Sequence, residues 1–436
     1  MYKSKVISTD DALSKIPKNC NIVFGLAPAE PRTIASRLHE IYDRIEKVSV
    51  TTCLPIADAP YYTEEKFSDR FFMNGWFYTT PMRKSQKHGN ISMIPNHLHL
   101  AEKKRVQAMP TNLYIGNCTR PDKHGFVSLS LSNVYERKSL EKAELVILEI
   151  NDNLPRTFGD MEVHVNDIDF FVETDYAIPE IPNIEPGEKD VKIGNYIADL
   201  INDGDCIQLG IGAIPNAVAK ALESKKDLGV HTEMLTSGIA KLARLGVVTG
   251  KNKNMHRNKI VCAFAYGDKD LYDFLDNNPS VLVMDGNYVN DPYVVGLNDN
   301  QISINSTIEI DLTGQCCSES IGHVQFSGTG GQADTAIGAQ RSKGGKSFIA
   351  LHSTAMVKNK ETGEREEVSK IVPMLKEGAV VSLSRNDVDF VVTEYGVAAL
   401  RGTTVAERVH LLIEVAHPKF RSELRETAIN LGYIGG

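Results

Sequence analysis

The sequence predicts an α/β fold of two related α/β domains with largely parallel sheets, and three observations predict it. Short β-branched runs recur that are apolar almost without alternation, helical patterns separate them, and the two halves repeat parts of each other's sequence. Runs apolar on every residue suit strands buried on both faces, the condition of a parallel sheet covered by helices.

Taken in order, the strand candidates are Ile22-Val23-Phe24, Val48-Ser49-Val50, Leu145 to Leu148, Val230 to Met234, Ile260-Val261-Cys262 and Phe390-Val391-Val392. Helix candidates between them include Ile34 to Ile41, Ala217 to Glu223 and Val405 to Val415. This alternation is the α/β signature. From Ala177 to Asp190 the chain reads AIPEIPNIEPGEKD, and prolines at 179, 182 and 186 leave no room for a helix or a central strand. That linker divides the chain into an N-terminal domain, 1–180, and a C-terminal domain, 187–436. Cys20 to Pro31 (CNIVFGLAPAEP) matches Asp205 to Pro215 (DCIQLGIGAIP): a strand, a glycine turn, then proline near a helix start. Ala143 to Asn151 (AELVILEIN) matches Val388 to Gly396 (VDFVVTEYG), setting Glu149 opposite Glu394. Two matches in the same order favour a duplicated unit.

Composition narrows the function classes. The 436 residues are 42% hydrophobic and 24% charged, with a net charge of −8, so no overall basic face recommends nucleic acid as a partner. No run approaches the roughly 18 apolar residues of a membrane span, so no membrane association is expected. The N-terminus lacks the apolar stretch of a signal peptide. Seven cysteines without a CxxC pair read as buried thiols in a reducing compartment, which makes the cytoplasm the expected location. HExxH, clustered Cys/His, GxSxG and a full dinucleotide fingerprint are all missing, so no metal site is expected.

Three segments can carry chemistry. Gly210-Ile211-Gly212-Ala213-Ile214-Pro215 follows a strand, and its glycines allow a sharp turn and close approach to a ligand. Pro215 suits a first helical turn, where free amides meet an anion; a plain packing turn is the other reading. Leu228 to Met234 (LGVHTEM) ends a strand with Glu233 near its carboxyl end, where α/β sheets hold ligands and where Glu is a competent nucleophile. A solvated strand-end carboxylate is the plainer alternative. His231 is assigned to the opposite face of that strand, as a structural histidine. Phe326 to Gln332 (FSGTGGQ) concentrates glycine, and Lys343 and Lys346 beyond it offer charge for phosphates; a flexible surface loop is the alternative.

Together these segments resemble the acetyl-CoA hydrolase/transferase family, in its 4-hydroxybutyrate and butyryl-CoA:acetate CoA-transferase branch. The resemblance rests on LGIGAIPNAV (209–218), LGVHTEM (228–234), LYDFLDNNP (271–279), DLTGQCCSESIG (311–322), QFSGTGGQAD (325–334), KIVPML (370–375), VVTEYGVAALRG (391–402) and AHPKFR (416–421). It implies a class I CoA-transferase-like fold with the active site in the cleft between the domains. It also implies coenzyme A as substrate and covalent thioester, acyl-CoA and a short carboxylate such as 4-hydroxybutyrate or butyrate as partners, and a homo-oligomer.

In residue terms the resemblance makes Glu233 the nucleophile and brings Gly210, Ile211, Gly212, Ala213 and Ile214 to CoA, with Ile308, Gly331 and Ser353. Gly330 joins Gly331 and the Gly210–Ile214 turn as candidate oxyanion donors, and Lys346 completes the expected set. An acyl-CoA hydrolase using the same glutamate, and a catalytically silent CoA-binding protein, are the rival expectations. Three positions depart from the family pattern: Leu26 where the 4-hydroxybutyrate branch has His, Ser237 where the motif after the nucleophile has Asp, and Thr335 where an aromatic is usual.

Overall fold

The apolar runs are strands in the computed structural model, which describes residues 2–182, 184–359 and 362–436. One sheet has the spatial order Phe170–Thr174, Leu145–Asn151, Leu113–Cys118, Asn19–Phe24, Lys47–Thr52, Phe71–Gly75, Ile91–Met93, with every neighbour parallel. The other runs Gly396–Ala399, Phe390–Thr393, Lys346–Ala350, Gln301–Ser306, Cys206–Leu209, Gly229–Leu235, Ile260–Ala265, Val281–Val283, Phe158–Gly159. It is parallel throughout except for the edge hairpin of Phe390–Thr393 with Gly396–Ala399. The α/β class with largely parallel sheets therefore holds. Burial on both faces is what the apolar runs demanded: Ile207, Val230, Val261 and Ile302 are fully buried. Each such side chain is worth about 1.5–3 kcal/mol.

The two sheets share one topology. Apart from the edge strands Phe158–Gly159 and Gly396–Ala399 of the larger sheet, in each the first strand is central, the next three extend to one side, and the fifth to seventh extend to the other. Right-handed crossovers running in opposite directions place helices on opposite faces, and the crevice between first and fifth strands opens at their carboxyl ends. Asn19–Phe24 and Cys206–Leu209 are both first strands, as their sequence match requires.

The second sequence match is overturned. Leu145–Asn151 is a sixth strand and corresponds to Lys346–Ala350, whereas Phe390–Thr393 is a seventh strand and corresponds to Phe170–Thr174. Glu149 and Glu394 are thus not equivalent. Glu149 accepts the N–H of Ile34 (2.7 Å), whereas Glu394 accepts the N–H and hydroxyl of Ser353 (2.8 Å each). The true echo is Asn166-Asp167-Ile168-Asp169-Phe170 with Asn386-Asp387-Val388-Asp389-Phe390. Asp169 accepts the N–H of Val146 (2.8 Å) and Asp389 that of Ser347 (3.0 Å), in each case the second residue of the sixth strand.

Helix boundaries shift for local reasons. The segment expected as Ile34 to Ile41 is α-helical over Arg32–Arg37 and tightens to a 3-10 turn over Leu38–Arg44. The second helix starts earlier than expected, at Ala213–Ala221. Val405–Val415 matches its expected span, fixed by a capping box: Thr404 Oγ1 accepts the Glu407 N–H, and Glu407 Oε2 accepts the Thr404 N–H.

The proline linker has no helix or strand among its described residues before Glu188; Asn183 within it lies outside them. It packs on the second half: Tyr272 Oη donates to Pro179 O (2.6 Å) and the Ile181 N–H to Gly267 O (2.8 Å). Phe158–Gly159, from the first half, pairs with Val281–Val283 at the edge of the second sheet, so the halves interlock. All seven cysteines are buried and unpaired. Among the described residues no helix is long and apolar enough to cross a membrane, and no cluster of side chains could hold a metal ion.

Candidate active site

Glu233 lies near the carboxyl end of Gly229–Leu235. Residues two apart on a strand share a face, so the expectation that His231 faces away from Glu233 is wrong. Both point toward the short helix Gly286–Val289: His231 Nε2 lies 2.8 Å from Val289 O, and Glu233 Oε2 accepts from Asn290 Nδ2 at 2.7 Å. Burial pulls the His231 ring down to about 3, so it stays neutral, which agrees with a structural role. Asn290 ends that helix and stands in no recognisable motif; sequence reasoning missed it.

The glycine-rich segment closes on the same carboxylate. Gly331 caps the helix Gln332–Arg341, and a Cβ at Gly331 would overlap both Glu233 Oε2 and Asn290 Nδ2. Only glycine lets the backbone come this close. Among the described residues the N–H groups of Gly330 and Gly331 meet no acceptor. Thr335, in place of the usual aromatic, donates its hydroxyl to Gly331 O (3.0 Å) and accepts from Ser303 and Asn305 (3.0 Å each). Burial pushes the Glu233 carboxyl up to about 7, with the Asn290 donation opposing and the charge of Asp334 adding.

The first half supplies the facing wall. A Cβ at Gly328 would overlap the Trp76 carbonyl, and Gly330 lies against the Phe77 ring. The Tyr78 N–H donates to Ser327 O (3.2 Å), and Arg83 donates to Phe326 O (2.8 Å) while stacking on that ring. The segment is therefore clamped between the halves, not a free surface loop.

The Gly210–Ile214 turn stands beside this group. Cys206 pairs with Gly229 and Ile207 with Val230, so the turn after Leu209 and Glu233 lie toward the same carboxyl end of neighbouring parallel strands. Gly212 has φ 112°, open space where a Cβ would be, and no side chain capping the helix that follows. The first amides of Ala213–Ala221 are thus presented for an anion. Ile211 is half exposed, at 51%. Against this turn lies a cavity of about 480 Å³, lined by Ile211, Gly212, Thr236, Ser237, Tyr266 and, from the linker, Ile181, Pro182, Ile184 and Glu185, with Glu233 absent from its described walls. Ser237 donates to Asp268 (2.8 Å), which sets a carboxylate beside position 237.

Other expected residues fall elsewhere. Lys346 opens its strand at the amino end of the sheet, opposite Glu233, and its Nζ donates to Leu200 O (2.7 Å); it cannot reach the cleft and leaves the site. Lys343, at that same end, leaves with it. Ile308 follows the strand Gln301–Ser306 at the correct end, its N–H donating to Cys317 O (3.0 Å). Ser353 is also at that end but fully buried; Glu394 takes its N–H and hydroxyl, and its carbonyl accepts from Lys370. Leu26 is buried with its N–H on Glu136 (2.8 Å), in the wall contributed by the first half.

The chain is similar to known proteins over nearly its whole length. Residues 1–182 match the acetyl-CoA hydrolase/transferase N-terminal domain, and residues 267–428 match its C-terminal domain. A 4-hydroxybutyrate coenzyme A transferase of Clostridium kluyveri is 42% identical over 97% of both chains. A succinyl-CoA:cyclohexane-1-carboxylate CoA transferase of Geobacter metallireducens is 40% identical over 99% of this chain and 97% of its own. The crystal structure of RipA from Yersinia pestis superposes with a TM-score of 0.92 over 99% of both chains, at 33% identity.

Proposed function

The chain belongs to the acetyl-CoA hydrolase/transferase family, and from that premise we propose that it is a CoA-transferase acting through a covalent intermediate on Glu233. The observation that carries the reading is a partly sheltered carboxylate held between Asn290 and Gly331 where two halves meet, beside a glycine turn with free amides.

Glu233 attacks the thioester carbonyl of an acyl-CoA, and collapse of the tetrahedral adduct expels CoA thiolate and leaves an acyl-glutamyl anhydride. Attack of the thiolate on the Glu233 carbonyl releases the first acid as carboxylate and leaves a glutamyl-CoA thioester. A second carboxylate runs both steps in reverse, so an activated acyl bond persists throughout and ping-pong kinetics result. Each adduct carries an oxyanion. The Gly331 N–H, the Asn290 amide and the first amides after Gly212 are the donors, each worth about 3–4 kcal/mol when well aligned. Binding of the remote CoA nucleotide offsets the cost of forcing thioester and carboxylate together.

For the acid, a short-chain carboxylate such as 4-hydroxybutyrate or butyrate is the reading; relatives of nearly equal similarity bear the names of different acids, so position by position the site decides. Hydrolysis is the competing outcome, and exclusion of water from the clamped cleft favours transfer. Incubation with acetyl-CoA followed by borohydride should reduce the Glu233 carboxyl, visible by peptide mass. Transfer to a panel of acids is followed against release of free CoA. Measurable transfer with Glu233 unmodified sinks the mechanism, and CoA release that no acid suppresses makes the protein a hydrolase.

A further inference from the structure

Asn290 and Gly331, the two groups against Glu233, share one buttress from the first half. The turn Leu98–Leu100 packs on the helix Gly286–Val289, which ends at Asn290. It also grips Asp334, in the first turn of the helix capped by Gly331. The Asp334 side chain is 2% exposed, and both its oxygens are taken. His99 Nδ1 lies 2.8 Å from Oδ1, and the His99 N–H donates to Oδ2 at 3.0 Å. A carboxylate accepts only, so the proton sits on Nδ1. The His97 ring stacks on His99 and stands 3.8 Å from Asp334 Oδ1.

We propose that His99 and Asp334 form a positioning pair that acts through the Gly331 turn: His99 anchors the turn and sets how much of the Asp334 negative charge Glu233 feels. The proposal rests on the reading of Glu233 as nucleophile. Glu233 must be ionised to attack, and the adduct it forms is again anionic. An unscreened carboxylate nearby opposes both conditions, and an imidazole bonded to that carboxylate relieves them. The surrounding charges support this arrangement. Burial pulls His99 down, but the hydrogen bond and charge of Asp334, with Asp291 adding and Lys104 opposing, leave its proton affinity raised. Asp387 faces His97, and besides Asp334 the group facing Glu233 is the Cys53 thiol.

The test uses the full chain and measures kcat/KM for acyl-CoA from pH 5.5 to 8.5, with borohydride trapping at each pH. Asp334→Asn keeps the shape, and the His99 tautomer can invert to match it. Its acid limb should move down by about half to one pH unit as the charge goes. His99→Phe should move the limb up by a similar amount and lower the plateau kcat about tenfold, with KM little changed. His99→Asn places an amide donor where Nδ1 was and should restore the plateau. A purely structural role predicts lost activity with unmoved limbs, or limbs moving in one direction; either result overturns the proposal. If Asp334→Asn does not fold, the contrast between His99→Phe and His99→Asn decides alone, and equal limbs and plateaus in the two refute it. A wild-type protein that transfers CoA without a trapped Glu233 refutes the nucleophile reading instead.

Discussion

Replacing Gly331 with alanine separates catalytic geometry from stability. Its φ of −98° suits any residue, so the change introduces no backbone strain. The added methyl overlaps Glu233 Oε2 and Asn290 Nδ2 together, and these are each other's partners at 2.7 Å. Both are ends of side chains and can retreat, so the fold should survive, with Tm within about 2 °C of wild type. What cannot survive is the position of the carboxylate. Clearing the methyl takes on the order of 1 Å, a misplacement that costs about a hundredfold in rate. Spoiling the alignment of the adjacent donor costs about as much again or more. The two losses are coupled, so kcat should fall by about 10³-fold, close to 4 kcal/mol of transition-state stabilisation. Gly330→Ala is the control. There φ is +55° and the nearest foreign atom to a Cβ is the Phe77 ring at 3.6 Å, so the cost is backbone strain of about 1–2 kcal/mol in stability, with kcat within tenfold. Transfer kinetics and thermal melts on both variants decide the matter. Gly331→Ala with kcat within tenfold of wild type, or Gly330→Ala the worse of the two in kcat, would refute the reasoning.

Four further outcomes are expected. Since burial pushes Glu233 up to about 7, the reactive carboxylate is lost as pH falls below that value, and kcat/KM should drop about tenfold per pH unit on the acid side. A raised folded-state value stabilises the protein below the unfolded value and is lost as pH rises through about 7. Glu233→Gln should therefore melt a few degrees above wild type at pH 8, a gap closing by pH 5; no gap at pH 8 contradicts the burial argument. Ser237→Asp, which restores the family's residue, sets a second carboxylate against Asp268 and should cost about 1–3 kcal/mol, recovered in the double variant with Asp268→Ser. Thermal melts read both. Lys346→Gln should lose about 1 kcal/mol of stability with the Leu200 carbonyl bond while leaving KM for acyl-CoA within twofold; a large rise in KM would return Lys346 to the site.

What the residues disclose follows from the range of the forces involved. Strands and their parallel pairing are legible because Ile22 to Phe24 and Ile260 to Cys262 write double-sided burial directly into composition. Gly331 is findable because close backbone approach demands glycine, and Glu233 because a carboxylate near the carboxyl end of a parallel strand stands where α/β sheets hold ligands. Asn290 is not, since an amide at the end of a four-residue helix has no local signature and acquires meaning only when the chain brings it 57 positions back to Glu233. Lys346 misleads for the converse reason: positive charge in sequence does not say which end of a strand carries it. The pairing of Ala143–Asn151 with Val388–Gly396 followed apolar similarity, which sixth and seventh strands share. The polar NDxDF pattern, whose aspartates bond the neighbouring strand, was the better signal.

The duplication also explains why the site is asymmetric. Aligning Gly25 with Gly210 matches Asn21 to Cys206, and strand register then matches Ser49 to Gly229 and hence Cys53 to Glu233. The two copies face each other with the same position, one bearing a carboxylate and the other a thiol. Burial, with the charge of Glu233 adding, holds that thiol well above its usual value, so it remains neutral. A neutral wall opposite Glu233 lowers the local dielectric and strengthens each dipole aimed at the adduct. The turns diverge in the same way. Ala27, matching Gly212, also has positive φ, 45°, but its turn is closed: a Cβ at Gly25 would overlap the Ala29 carbonyl, and the Ala27 N–H donates to Cys53 O (3.3 Å). Gly212 has nothing within reach of a Cβ and a nine-residue helix behind it with uncapped amides. One copy closes its turn by packing, whereas the other leaves its turn open ahead of a helix start.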